Sequence, residues 1–326
     1  MKFKELRKIE MINLPTLTSV DFSGKRVIVR ADLDFDPKDQ ENLRFTTLIP
    51  TLDLIKEKNG QIILMGHRGR PGGKFDESLS LKPFESYFQK WNARLLENLR
   101  FDPGEESNDV EFAKRLASNG DFYVNEAFGA SHRAHASIVG IPKLLPHLAG
   151  NRFVEEVENL SKIFEDPKRP VITLISGIKD DKMGYIEKFL EFSDRILIGG
   201  RLPEYIYDSS VLHKNSKVLI ADLLPDKEDI TIHSMEKFES AVVGAGTIVV
   251  SGPIGKFEDE GHRQGTKRVL TAVSQVGAFK VAGGGDTTSA IDLLKLSDKF
   301  DWISVGGGAM LDFLANHTLP GIEALL

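Results

Sequence analysis

Residues 279–296 read "FKVAGGGDTTSAIDLLKL". An apolar, strand-like run enters three consecutive glycines and leaves them as a segment with helical spacing. Glycine loses more backbone freedom on ordering than any other residue, so a triplet implies that something must approach the backbone closely. A near-repeat, "WISVGGGAMLDF", follows at 302–313. Strand, glycine turn and helix in that order are a building unit of α/β sheets.

Seven further apolar runs lie upstream: "RVIVRADL" (26–33), "GQIILMGH" (60–67), "DFYVNEAF" (121–128), "PVITLISG" (170–177), "RILIGG" (195–200), "KVLIADLL" (217–224) and "GTIVVSGP" (246–253). Continuous, β-branched strands alternating with helix-period segments predict a parallel sheet covered by helices on both faces. Nearly every run ends in Gly, His, Asp or Asn, and open α/β sheets bind ligands outside the carboxyl ends of their strands. Between them, "NRFVEEVENLSKIFEDPK" (151–168) has helical spacing and no strand signal, which reads as a linker helix joining two α/β halves. The expected division is a first domain at 1–153, a linker helix at 154–166 and a second domain at 167–311.

Composition bounds the function. The chain has 326 residues, 41% hydrophobic and 28% charged, enough for two buried cores. A net charge of −6 argues against a general nucleic-acid binder, so any anion site must be local. Zero cysteines remove thiolate catalysis and cysteine-ligated metals. No apolar stretch suits a membrane span. The opening "MKFKELRKIEMINLPTL" is basic and amphipathic but has no apolar core of a signal peptide, so the expected location is the cytoplasm.

The turn "GGGDTTSA" exposes backbone N–H groups of Gly284 and Gly285 at a helix start, where phosphate oxygens fit. Asp286 beside Thr287 suits a divalent cation bridging carboxylate and phosphate. The same letters also describe a tight turn with an N-cap Asp, and both readings stay open. Neither triplet matches G-x-x-x-x-G-K-[ST] or G-x-G-x-x-G. In the first half Arg30, Asp32, Arg44, His67, Arg70, Arg100, His132, Arg133 and His135 fall at or near strand ends. A lone arginine is ordinarily surface charge. Several at successive strand ends converge on a small anion, because guanidinium forks bind carboxylate and phosphate bidentately. A basic half-site and a glycine-rich one together suggest phosphoryl transfer between two bound partners.

From Gly24 to the final "LPGIEALL" the sequence resembles the phosphoglycerate kinase family. The resemblance is carried by "GKRVIVRADLDF", "ILMGHRGRP", "LLENLRFDPGEE", "YVNEAFGASHRAHASIVGI", "SGPIGKFE", "GTKRV", "AGGGDTTSAI" and "ISVGGGAMLDFL". It implies two Rossmann-like three-layer (αβα) domains with mainly parallel sheets, a hinge, and a C-terminal tail, about 312–326, packed back on the first domain. The implied partners are 3-phosphoglycerate or 1,3-bisphosphoglycerate and ATP or ADP with Mg2+, acting on a monomer. The resemblance puts Asp32, Asp34, Arg44, His67, Arg70, Arg100 and Arg133 around the phosphoglycerate. On the nucleotide side it puts Gly177, Lys179 and Lys182 beside the phosphates, Gly199 and Gly200 under the adenine, and Glu258 on the ribose. Gly284, Gly285, Asp286 and Thr287 meet the phosphates and the metal, with Asp286 the metal ligand, and Gly307 and Gly308 line the closing face. Arg44, Lys179 and Lys182 are the implied catalytic residues.

The chain departs from the family pattern at identifiable places. A helix and a strand are expected to be missing between "SLKPFESYFQKW" and "LLENLRF", and the segment after "RILIGG" is cut down to "RLPEYIYDSSVLHKNSK". Another block is lost between "ADLLPDKED" and "ITIHSMEKF". Arg201 replaces a glycine, Ile178 a small residue, and Asp34 and Ser251 each an asparagine. Lys179 and Lys182 are three apart instead of four, a change of direction of about 100° on a helix. Arg68 stands where a small or apolar residue is usual and reads as a solvated charge. The leading expectation is an active phosphoglycerate kinase. The alternatives are a catalytically weak relative that binds phosphoglycerate or another anion in a regulatory role, and a kinase for another acyl phosphate.

Overall fold

The computed structural model describes residues 12–207 and 210–326. The basic opening segment lies, through residue 11, outside the described residues. The described chain forms two compact units, one running to Glu158 and rejoined by Thr318–Leu326, the other spanning Asn159–His317.

The first unit contains β1 (Arg26–Arg30), α1 (Leu43–Thr46), α2 (Ile49–Glu57), β2 (Gln61–Met65), β3 (Arg94–Leu95), α3 (Pro103–Glu106), α4 (Val110–Ala117), β4 (Phe122–Asn125) and β5 (His147–Ala149), and ends within α5 (Asn151–Ser161). The sheet order is β3-β2-β1-β4-β5 and every pairing is parallel. Alternation along β1 sends Val27 and Val29 into a core with Leu52 and Ile55 of α2, Ile62 and Leu64 of β2, and Phe84 and Phe88. Ile28 and Arg30 then share the opposite face, both fully buried. β3 runs into the first residue of "LLENLRF" itself, its two residues pairing Arg94 with Ile63 and Leu95 with Leu64. Two residues are too few for any hydrophobic period to show, and β5, with three, is equally silent in sequence.

The second unit contains β6 (Val171–Gly177), α6 (Met183–Phe189), β7 (Arg195–Gly200), β8 (Val218–Ile220), α7 (Ile232–Val242), β9 (Thr247–Ser251), α8 (Gln264–Gln275), β10 (Phe279–Gly283), α9 (Gly285–Leu293), β11 (Trp302–Ser304) and α10 (Gly307–Asn316). Its order is β11-β10-β9-β6-β7-β8, again parallel throughout. Ile172, Leu174, Leu197, Ile248, Val250 and Ala282 face Phe238 of α7, Val269 of α8 and Ile291 of α9. After α10 the chain rejoins the first unit as α11 (Pro320–Glu323), where the Gly321 N–H donates to the Ser131 carbonyl at 2.9 Å. In each sheet the order of winding reverses once, between β1 and β4 and between β6 and β9, and crevices for ligands open at such points.

One buried carboxyl closes the β1/β4 end of the first sheet. Glu126 accepts from Thr51 Oγ1 on α2 at 2.6 Å and from the backbone N–H groups of Arg152 and Phe153 on α5, both at 3.1 Å. Burial pushes its carboxyl up to about 7; the three hydrogen bonds oppose that shift and the charge of Glu155 adds to it. With the folded-state value above the unfolded one, this group's contribution to stability is complete below the ordinary glutamate range and is lost as pH rises through about 7. Denaturant unfolding at pH 5 and pH 8 is expected to show the native chain losing more stability over that interval than Glu126→Gln; equal losses would remove Glu126 as the cause.

Candidate functional site

In the first unit the strand ends gather the predicted cations around a buried polar floor. Arg30, at the end of β1, donates to Ser137 Oγ at 2.9 Å, to the Ala31 carbonyl at 2.6 Å and to His67 Nδ1 at 2.9 Å. Glu105, fully buried, accepts from Ser137 N–H at 3.0 Å and from its hydroxyl at 2.6 Å, and lies 4.0 Å from Arg30. A guanidinium can only donate, so Nδ1 of His67 is the acceptor and Nε2 carries the proton. That Nε2 lies 3.9 Å from the Asp34 carboxylate.

Burial, then the charges of Arg30, Arg100, Arg133 and Arg44, hold His67 well below the usual imidazole range. Burial, then the charges of Arg100, Arg30, Arg133 and His132, push His135 down to about 4. Four guanidinium groups acting on one imidazole mark this end of the sheet as strongly positive.

The remaining residues complete this cluster. Asp32 Oδ2 holds Arg44 Nε at 3.5 Å, and Arg44 also donates to the Asp34 carbonyl. Asp34 Oδ1 accepts from Gly69 N–H at 2.8 Å, so at this position the carboxylate serves loop geometry as an amide oxygen could. Arg100, almost fully buried, donates to the Gly69 carbonyl at 2.7 Å and faces Glu106 at 3.2 Å. Arg133 is half-buried and Arg70 exposed, and neither forms an ion pair among the described residues. Arg68 donates to the Ser78 carbonyl at 2.8 Å, a loop contact.

In the second unit the carboxyl ends of β6, β7, β9 and β10 frame a cavity of about 690 Å³. Gly177, Lys179, Lys182, Gly200, Glu258, Gly284, Gly285, Asp286, Thr287, Gly307 and Gly308 all line it, and Gly199 does not. Gly199 lies beneath, where a Cβ would meet Ile254 at 3.1 Å.

The cap of α9 bears on the reading of "GGGDTT" as a turn with an N-cap Asp, because Asp286 is not the cap. The N-cap is Gly284, with φ +109°, and no side chain caps the helix. Asp286 sits in the first turn and is exposed. No side chain therefore takes up the N-terminal N–H groups of this helix. Thr287 is committed otherwise: its Oγ1 accepts from Gly252 N–H at 2.8 Å and donates to the Gly283 carbonyl at 2.9 Å.

The two triplets also meet each other. A Cβ on Gly307 would lie 2.4 Å from the Gly284 Cα, while one on Gly285 would meet nothing within 4 Å. Gly307 is thus demanded by backbone packing, and Gly285 leaves open space toward the cavity.

The lysines divide. Lys179 is exposed and forms no ion pair among the described residues. Lys182 is folded inward, donating to the Ser176 carbonyl at 2.7 Å and to the Ser251 carbonyl and hydroxyl at 3.3 and 3.2 Å. Burial lowers its pKa, and Asp181 and Asp286 act against that. Two departures read from the sequence, Ser251 and the short lysine spacing, meet in this contact. Sequence reasoning missed Ser176, Tyr185, Lys227 and Leu311 on the cavity wall, and Glu105 and Ser137 under the cations. Glu105 lies in the quoted "DPGEE", but a glutamate reads as surface until burial is known.

The phosphoglycerate kinase family profile matches residues 17–94, 88–210 and 204–317. The phosphoglycerate kinase of Herpetosiphon aurantiacus is 34% identical over 391 residues, covering 96% of this chain and 99% of the relative. The chain belongs to the phosphoglycerate kinase family. The Thermus thermophilus phosphoglycerate kinase is 35% identical over 387 residues, covering 95% of this chain and 99% of its own. The structure of phosphoglycerate kinase from Coxiella burnetii superposes with a TM-score of 0.81 at 29% identity, over 96% of this chain and 99% of that one. An alignment of 391 positions can hold 326 residues only with gaps, so this family member is shorter than the relatives it matches end to end.

Two outcomes are expected. Gly307→Ala forces a Cβ onto the Gly284 backbone and should cost about 1–3 kcal/mol in chemical denaturation, as overpacking does; an unchanged midpoint would mean that the two triplets are not in contact. Imidazole resonances of His67 should stay those of the neutral Nε2–H tautomer from pH 8 to pH 5.5; titration near pH 6.5 would contradict the buried, arginine-lined environment.

Proposed function

We propose that this family member catalyses reversible phosphoryl transfer between 1,3-bisphosphoglycerate and ADP, giving 3-phosphoglycerate and ATP. The chain is an enzyme, a phosphotransferase, and the transferred group here has a carboxylate as its acceptor. The observation that carries the nucleotide half of the reading is the uncapped N-terminus of α9, opening on a cavity that Lys179 also lines.

The acceptor carboxylate is already ionised at neutral pH, so no general base has to remove a proton. What remains is to orient two anions and offset the charge of the group passing between them. On the acceptor side His67 donates from Nε2, Arg70, Arg100 and Arg133 supply guanidinium forks, and Asp32 and Asp34 hold Arg44 and the Gly69 loop in place. Arg44 offsets charge on the transferring group from that side, and Lys179 does so from the nucleotide side. Lys182 ties the ends of β6 and β9 together beneath the phosphates.

The donor set at α9 fits Mg2+. Among the described residues no three metal-ligating side chains cluster, but a magnesium ion carried by a nucleotide needs only one or two carboxylates beside the phosphates. Asp286 is that carboxylate. Bound there, Mg2+ would neutralise phosphate charge. A cytoplasmic location and a monomeric state complete the proposal, following the usual habit of the family.

The reading as a catalytically weak anion-binding relative is not favoured, since relatives named phosphoglycerate kinase align over nearly the whole chain. A coupled assay with 3-phosphoglycerate, Mg2+ and either ATP or GTP tests it. Arg44→Ala and Lys179→Ala should each lower kcat by about 10²–10³-fold with little change in nucleotide Kd, as expected for groups acting on developing charge. No turnover by the native chain with either nucleotide would refute the reading.

A further inference from the structure

The phosphate end of the cavity is fixed by α9 after β10, and the far end by Gly200 and Arg201 after β7. In the sheet order β10-β9-β6-β7 these ends are three strand spacings apart, on the order of 14 Å. A nucleotide whose phosphates sit at α9 therefore brings its base to Arg201. What faces the base is charged. Arg201 and Lys227 line the cavity, and both are anchored on Glu204, Arg201 Nε at 2.6 Å and Lys227 Nζ at 2.7 Å. Glu204 is not on the cavity wall and is only 18% exposed, so the cavity meets the cations and not their acceptor.

The guanidinium spends Nε on Glu204 and keeps both terminal NH2 groups, which have no hydrogen bond among the described residues. On the same wall Glu228 is paired with Lys256 at 3.4 Å, and Ile178, 68% exposed, offers an apolar face for stacking. The wall thus carries three donating side chains, Arg201, Lys227 and Lys256, beside the carboxylate of Glu228. Guanine presents two neighbouring acceptors, O6 and N7, which a guanidinium fork engages bidentately; adenine places a donor, the N6 amino group, where guanine has O6.

Building on the proposed nucleotide site, we infer that Arg201, held by Glu204, is a specificity residue through which the site takes guanine nucleotides as well as the adenine nucleotides of the proposed reaction, and binds the guanine ones more tightly. Calorimetric titration of the full chain with GDP and with ADP, each with Mg2+, tests this without relying on turnover, and inorganic pyrophosphate reports on the phosphate end alone. GDP should bind about tenfold or more tighter than ADP. Arg201→Gly should bring the two within about threefold of each other while pyrophosphate affinity holds. Arg201→Gln serves the same purpose should the glycine variant fail to fold. ADP binding as tightly as GDP, or a preference that survives both substitutions, overturns the role of Arg201 and leaves the nucleotide site standing. If a folded chain binds neither diphosphate, the nucleotide reading fails and the specificity falls with it.

Discussion

Backbone lying directly on backbone is the constraint from which the nucleotide-side cavity follows. Gly307 abuts Gly284, Gly200 abuts the Gly177 peptide, and a Cβ on Gly252 would come within 2.1 Å of the Ser176 carbonyl. Gly200, Gly252 and Gly284 also take positive φ, which side chains resist. The strand ends can draw this close only without side chains, and the space left above them is the cavity. Lys182 and Thr287 complete the closure by joining β6 to β9 and the segment after β9 to the start of α9.

The first unit solves the opposite problem, that of holding cations near one another. Arg30 is fully buried, and its donors reach a hydroxyl, a carbonyl and an imidazole, with Glu105 at 4.0 Å as counter-charge. A buried guanidinium left unpaired would be prohibitive, whereas one saturated with acceptors can act as a fixed positive wall. Burial and then that wall hold His67 below the usual imidazole range, and the Arg30 contact fixes its tautomer.

Much of this was legible in the chain itself. Nine of the strands correspond to apolar runs, because a strand buried on both faces must be apolar along its length. The strands β3 and β5 were not legible, since two or three residues carry no period. The polar strand ends pointed to the clusters, but not to their internal division of labour. Lys179 and Lys182 look equivalent in "SGIKDDK", and only the fold turns one inward and leaves the other exposed. Asp286 reads equally well as a cap or as a ligand until Gly284 is seen to occupy the cap position.

The sequence by itself determined the α/β class, the parallel sheets, the family and the residue types at the strand ends, because periodicity and glycine placement are properties of neighbouring residues. Tertiary structure alone decided which groups spend their hydrogen bonds on the protein and which face the cavity without a protein partner. That choice depends on partners far along the chain: Thr51 for Glu126, Ser251 for Lys182, Gly284 for Gly307. Contacts of that range are set by how the strands are ordered in the sheet, which no local pattern of residues encodes.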